Sequence, residues 1–192
     1  VDNLPFTVRG QPQGDKPVML LTGPPGIGKS TIVQAVIERL GNDAGGFYVR
    51  APWVDGRRDR FELVTLSGET ATLALESRAS AFPREVDFDV FKVNLDAVEG
   101  LAIDTLEVTL TSKKVVIVDE LGPMQFVSNR FKQLVWKILT DPSRLVFGTI
   151  VERPYPFADD LKKLARVQLI PVTLTNRDAL PSQLMAQLQR YL

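Results

Sequence analysis

The chain has 192 residues, 23 of them basic and 23 acidic, with no cysteine and no histidine. That length suits one α/β domain with its own core, and the inventory excludes disulfides, thiol nucleophiles, cysteine–histidine zinc sites and a histidine general base. Balanced charge lacks the overall basic footprint of a nucleic-acid binder. No apolar run approaches the roughly 20 residues that span a bilayer, and the first residues lack the charged-then-apolar plan of a signal peptide, so a soluble, cytoplasmic protein is expected.

In chain order, the first fifteen or so residues are linker-like, and residues 1–16 are expected to be flexible ahead of a domain within 1–192. Pro17 to Thr22 is apolar on both faces, as in a central parallel strand covered by helices. Ile32, Val33, Val36, Ile37 and Leu40 then form one helical stripe, which Gly41 ends. "GGFYVRAP" and "RFELVTL" read as two strands of an antiparallel hairpin insertion, joined across "WVDGRRD" where Asp55-Gly56 supplies turn chemistry. "DVFKVNL" is a further strand, followed by a helix carrying Val98, Leu101, Leu106 and Leu110 that tolerates Gly100. Val115 to Val118 form a short apolar strand. Ser128 is a candidate N-cap for a helix with Phe131, Leu134, Val135, Ile138 and Leu139. "RLVFGTI", "FADDLKKL", "VQLIPVTL" and a last helix opening near Pro181, with Leu184, Met185 and Leu188, complete a β-α-β-α order. Such alternation predicts a three-layer α/β domain around a mostly parallel sheet.

Between the first strand and the first helix stands "GPPGIGKS". Gly23, Gly28, Lys29 and Ser30 fit G-x-x-x-x-G-K-[ST], and the flanking strand and helix are the context that pattern requires. Bare backbone N–H groups of Gly23, Pro24, Pro25, Gly26, Ile27, Gly28, Lys29, Ser30 and Thr31, proline nitrogens excepted, would wrap phosphate oxygens, helped by about half a positive charge at the helix start. Lys29 is placed to bridge the β- and γ-phosphates and Ser30 to put its hydroxyl on Mg²⁺.

A metal on such a loop needs a carboxylate at the end of another strand, and "VVIVDELGPM" offers Asp119 directly after four apolar residues. Glu120, next to it, is the candidate to orient and deprotonate a water attacking the γ-phosphate. Because neighbouring strand residues point to opposite faces, a regular strand would turn only one of the two acids to the nucleotide. Where P-loop proteins carry such an Asp-Glu pair, the next strand often ends in a polar residue that senses the γ-phosphate. Thr149 in "LVFGTI" holds that position, with bonding to its own strand neighbours as the alternative.

With these residues in view, the chain resembles the P-loop nucleoside-triphosphatase family that includes the thermophile NTPase and the human cancer-related NTPase. The resemblance runs from Met19 to Leu188 through "LTGPPGIGKST", "GGFY", "GRR" with "FELVTL", "FKVNLDAVEG", "VVIVDELGPM", "FGTI" and "VTLTNRDALP". It implies a RecA-like P-loop domain that hydrolyses ATP, GTP and other nucleoside triphosphates slowly with Mg²⁺ and with little base selectivity. The chain departs from the family pattern at Val49, Arg50, Ala51, Pro52 and Trp53, at Arg60 and at Gln125, while the loop, Asp119 and Glu120 are intact.

Arg57, Arg58 and Arg60 share one hairpin loop. Arg58, which matches the family's G-x-R spacing from Gly56, is the candidate catalytic arginine, against the plainer reading of a solvated hairpin tip. In "RPYPF", Arg153 is in reach of a phosphate and Tyr155 or Phe157 of a base, with a surface connection as the alternative. Trp53 beside an arginine is a weak nucleic-acid signal in a neutral chain. Three functions stay open at this point: an NTPase, a P-loop kinase passing the γ-phosphate to a nucleoside, nucleotide or polynucleotide hydroxyl, and a nucleotide-timed binding switch. No membrane or nucleic-acid partner is expected, and a monomer is the default.

Overall fold

The computed structural model describes residues 14–52, 56, 59–77 and 79–192. The chain-order elements are β1 (Val18–Thr22), α1 (Lys29–Leu40), β2 (Ala44–Arg50), β3 (Arg60–Thr65), β4 (Thr70–Glu76), β5 (Glu85–Phe88) and β6 (Phe91–Asn94). A π-helical stretch at Ala97–Ala102 runs into α2 (Ile103–Ser112), and β7 (Val115–Leu121), α3 (Pro123–Phe126), α4 (Asn129–Thr140), β8 (Leu145–Ile150), α5 (Pro156–Lys162), β9 (Val167–Pro171) and α6 (Leu180–Leu188) follow.

Among the described residues the strands form one sheet in the order β5-β6-β4-β3-β2-β7-β8-β1-β9. From β2 to β9 neighbouring strands are parallel, with Tyr48 beside Asp119, Val118 beside Gly148 and Leu21 beside both Thr149 and Ile170. From β2 outward the pairing turns antiparallel through β3, β4, β6 and β5. The expected hairpin of β2 and β3 exists, but β2 belongs to both halves, because it also pairs in parallel with β7. The antiparallel part is larger than the expected insertion, since β4 and β5 extend it.

Period-two alternation builds the three layers. Val18 and Leu20 of β1, with Val116 and Val118 of β7, face a core shared with Leu106 of α2, Phe131 and Ile138 of α4 and Leu161 of α5. Met19 and Leu21, with Val115 and Ile117, face the opposite core, where Val33 and Val36 of α1 meet Leu184 and Leu188 of α6. Ser128 caps α4 as expected, accepting the Phe131 amide at 3.1 Å. No helix among the described residues is long and apolar enough to cross a membrane.

This winding brings the C-terminal ends of five parallel strands, β1, β2, β7, β8 and β9, to one edge of the sheet. Open α/β sheets bind their ligands at that edge.

Candidate active site

The loop from Gly23 to Gly28 leaves β1 with three glycines at positive φ, Gly23 at 147°, Gly26 at 80° and Gly28 at 113°. Side chains rarely adopt those conformations, so the loop follows this path only because these positions lack a Cβ. Helix α1 then starts on Gly28 with no side-chain cap and no acid in its first turn, which leaves its amide dipoles open to an anion. Lys29 folds back over the loop, its Nζ donating to the carbonyls of Gly23 at 2.7 Å and Pro24 at 3.2 Å.

Two strands away, Asp119 sits at 2% exposure near the end of β7. Thr149, fully buried on β8, donates its hydroxyl to Asp119 Oδ1 at 2.6 Å, so that hydroxyl is spent on the carboxylate. Oδ2 is buried and takes no protein hydrogen bond. Burial pushes the Asp119 carboxyl above the ordinary aspartate value, while Thr149, Ser30 and the Lys29 charge pull it down. An anion buried with one oxygen unpaired is stable only beside a cation. The orphaned Oδ2 and the Ser30 hydroxyl are hard oxygen donors that fit Mg²⁺, which takes one or two protein oxygens and completes its shell from phosphate and water. Among the described residues no three Asp, Glu, His or Cys side chains cluster as a metal cage.

Glu120 lies at a break in the regular register of β7 against β8. Val118 pairs with Gly148 and Leu121 with Ile150, so Asp119 and Glu120 together stand opposite the single residue Thr149. Two residues against one is a β-bulge, which re-aims side chains near sites. Burial and the Asp119 charge push the Glu120 carboxyl up, and the charges of Lys29 and Arg153 oppose them, so both acids share the field of Lys29.

Glycines hold β7 close on both sides of the acids. A Cβ on Gly46 of β2 would overlap the Ile117 carbonyl, and one on Gly148 of β8 would overlap the Val118 carbonyl. The "GGFY" and "FGTI" strings therefore act through backbone approach.

Arg58, Arg57 and Trp53 lie outside the described residues. Arg60 opens β3, with its Nε 3.8 Å from Asp59. The aromatics of "RPYPF" turn inward, with Tyr155 5.6 Å and Phe157 4.9 Å from the Phe126 ring. They anchor the loop after β8, where Arg153 is exposed and its charge reaches Glu120. Arg177, which the sequence reading did not single out, lies against the phosphate loop: its Cδ is 3.8 Å from where a Gly28 Cβ would stand. Its sequence signal is only its place in "VTLTNRDALP". A cavity of about 600 Å³ lies elsewhere, between the end of α1, the start of β2 and α2, and no phosphate-loop residue lines it.

The NTPase family profile matches residues 18–185. Nucleoside-triphosphatase THEP1 of Thermotoga petrophila is 35% identical over 167 residues, covering 87% of this chain and 90% of that protein. The cancer-related nucleoside-triphosphatase homolog of Mus musculus is 35% identical over 185 residues, covering 89% and 96%. The crystal structure of THEP1 from Aquifex aeolicus superimposes with a TM-score of 0.80 at 32% identity, over 90% of this chain and 99% of that one. With the family profile, the relatives' sequences and the superimposed structure in agreement over most of the chain, the chain belongs to the NTPase family.

Proposed function

We propose that this nucleoside-triphosphatase cleaves the β–γ bond of ATP, GTP and other nucleoside triphosphates with Mg²⁺, giving the diphosphate and inorganic phosphate. The amides of Gly23 to Thr31, proline nitrogens excepted, cradle the phosphates, and Lys29 moves its donors from the Gly23 and Pro24 carbonyls to the β- and γ-phosphate oxygens. Ser30 and Asp119 would hold Mg²⁺, which when bound neutralises charge across the β- and γ-phosphates. Thr149 acts through Asp119, fixing the carboxylate by its hydrogen bond. Glu120 orients a water and accepts its proton as the water oxygen bonds to the γ-phosphorus and the bridging oxygen leaves with the diphosphate. Arg58 supplies the cation that answers charge developing on the transferred group.

The observation that carries this reading is the break in the β7–β8 register that sets both acids opposite Thr149, with the Lys29 charge reaching each of them. The names of the relatives favour water over an acceptor hydroxyl, so the kinase alternative is not adopted. Replacing Glu120 by Gln tests it. The variant should bind Mg²⁺-ATP as the parent does and lose on the order of 10²- to 10⁴-fold in phosphate release, the scale of a general base. Undiminished release would remove Glu120 from the mechanism, and labelled-phosphoryl transfer to a hydroxyl acceptor outrunning release in the parent would overturn hydrolysis as the reaction.

A further inference from the structure

The position of the acids sets the direction in which a nucleotide must lie. Across the sheet the order is β7 with Asp119 and Glu120, β8 with Thr149, β1 with the phosphate loop, and then β9. A triphosphate with its γ-phosphate toward β7 therefore carries its nucleoside end toward β9 and the turn that follows it. That turn is built against the loop. The Val172 amide donates to the Thr22 carbonyl at 2.8 Å, and the Val172 carbonyl would meet a Gly23 Cβ at 3.0 Å. The Arg177 side chain runs alongside Gly28, 43% exposed and, among the described residues, in loose 3.7 Å contact with Asp178.

We propose that the turn Thr173–Arg177 is the seat of the nucleoside and that Arg177 lays its guanidinium plane on the face of the base; this rests on the phosphate-loop reading above. The rest of the turn is occupied with its own shape. Asn176 accepts the Thr173 amide on Oδ1 and donates Nδ2 to the Pro171 carbonyl, both at 2.8 Å, and the hydroxyls of Thr173 and Thr175 meet at 3.0 Å. The amide that would otherwise read a base edge is thus committed to holding the turn. Leu174, 69% exposed on the same turn, adds apolar surface. A flat cation and an apolar side chain accept any π-face, which every base presents. The seat selects for a nucleoside without selecting the base.

The test separates the nucleoside from the phosphates. Binding of the non-hydrolysable β,γ-imido analogues of ATP and GTP is measured by calorimetry with Mg²⁺ against binding of inorganic tripolyphosphate, which fills the loop but has no base. The parent should bind both analogues more tightly than tripolyphosphate. Arg177→Ala should weaken both analogues about tenfold, the scale of one stacked contact, and move tripolyphosphate less than twofold. Arg177→Lys, which keeps the charge and loses the plane, should show the same loss. Unchanged analogue binding, a parallel loss of tripolyphosphate, or full rescue by lysine would each overturn the seat. A parent that binds analogues and tripolyphosphate equally overturns the seat alone, whereas a parent that binds neither overturns the phosphate-loop reading as well.

Discussion

A carboxylate with one oxygen satisfied and the other buried and unpaired, as in Asp119, marks where the residues answer to a ligand rather than to the fold. The cation facing the transferred phosphate is the role with two contenders. Arg58 has the family spacing from Gly56, and Arg153 stands exposed with its charge reaching Glu120. A residue that acts on the transition state alone lowers kcat with little change in KM. Arg58→Ala should therefore cost on the order of 10³-fold in kcat, and Arg153→Ala should cost much less. Steady-state kinetics of both variants checks the assignment, and a reversed order of losses would transfer the role to Arg153.

At the scale of elements, one side-chain relay fastens the antiparallel half of the sheet to the helical layer. Arg84, just before β5, donates to Glu99 Oε2 at 2.7 Å and to Asp96 at 2.8 Å. Glu99 Oε1 in turn accepts the Ser128 hydroxyl at 2.8 Å, and Ser128 caps α4. The Ser128 hydrogen bond first, and Arg84 after it, hold the Glu99 carboxyl below the ordinary glutamate value. A carboxyl whose folded value is depressed adds stability that is complete above its unfolded value and is lost as pH falls through its folded value. The parent should thus exceed Glu99→Gln in thermal stability at neutral pH, and the gap should close on acidification through that window, as melting temperatures over a pH series would show. A gap constant with pH would mean that the Glu99 charge adds nothing.

The same elements show what the sequence makes legible and why. Strands β1, β7 and β8 are covered on both faces, so their unbroken apolar runs declare them, and α4 declares itself by its stripe and its cap. Strand β4 reads "TATLALE", in which small and polar residues dilute the alternation, and β5 is the four-residue "EVDF"; both exist through pairing with β3 and β6, which no local pattern encodes. Within the site, the loop and the acid pair are local motifs and stand out. That both acids stand opposite Thr149 depends on how β7 registers against β8, and the approach of Arg177 to Gly28 joins segments about 150 residues apart. Neither leaves a mark in a local window.

At the scale of the whole molecule, Arg166 is the fastening that draws distant segments together. It is 7% exposed and donates to the carbonyls of Leu139 at 2.8 Å and Arg144 at 2.7 Å, and to that of Lys16. It thereby joins the end of α4, the approach to β8 and the approach to β1, and burial lowers its pKa from the ordinary arginine value. Arg166→Leu keeps the apolar stem and strands those carbonyls, each worth about 1–3 kcal/mol when left buried without a donor. A loss of about 3 kcal/mol or more in urea unfolding is expected, with phosphate release per folded molecule unchanged because Arg166 is remote from the phosphate loop and the acids. A loss under about 0.5 kcal/mol, the level of an ordinary surface change, would remove it from that role.

The two glycines that flank β7 have a spectroscopic consequence. Where a Cβ would overlap a carbonyl, the glycine carries a hydrogen aimed at that oxygen, so Gly46 and Gly148 direct Cα–H groups at the carbonyls of Ile117 and Val118. Such weak bonds contribute about 0.5–1 kcal/mol each. A proton held against a carbonyl oxygen is deshielded, so each of these glycines should show one α-proton resonance well downfield of its geminal partner, while Gly68, whose added Cβ would meet nothing within 4 Å, should show no such split. Those four α-proton signals would report the spacing of β7 from its neighbours directly, and a nucleotide that shifts the acids should move the Gly148 pair first.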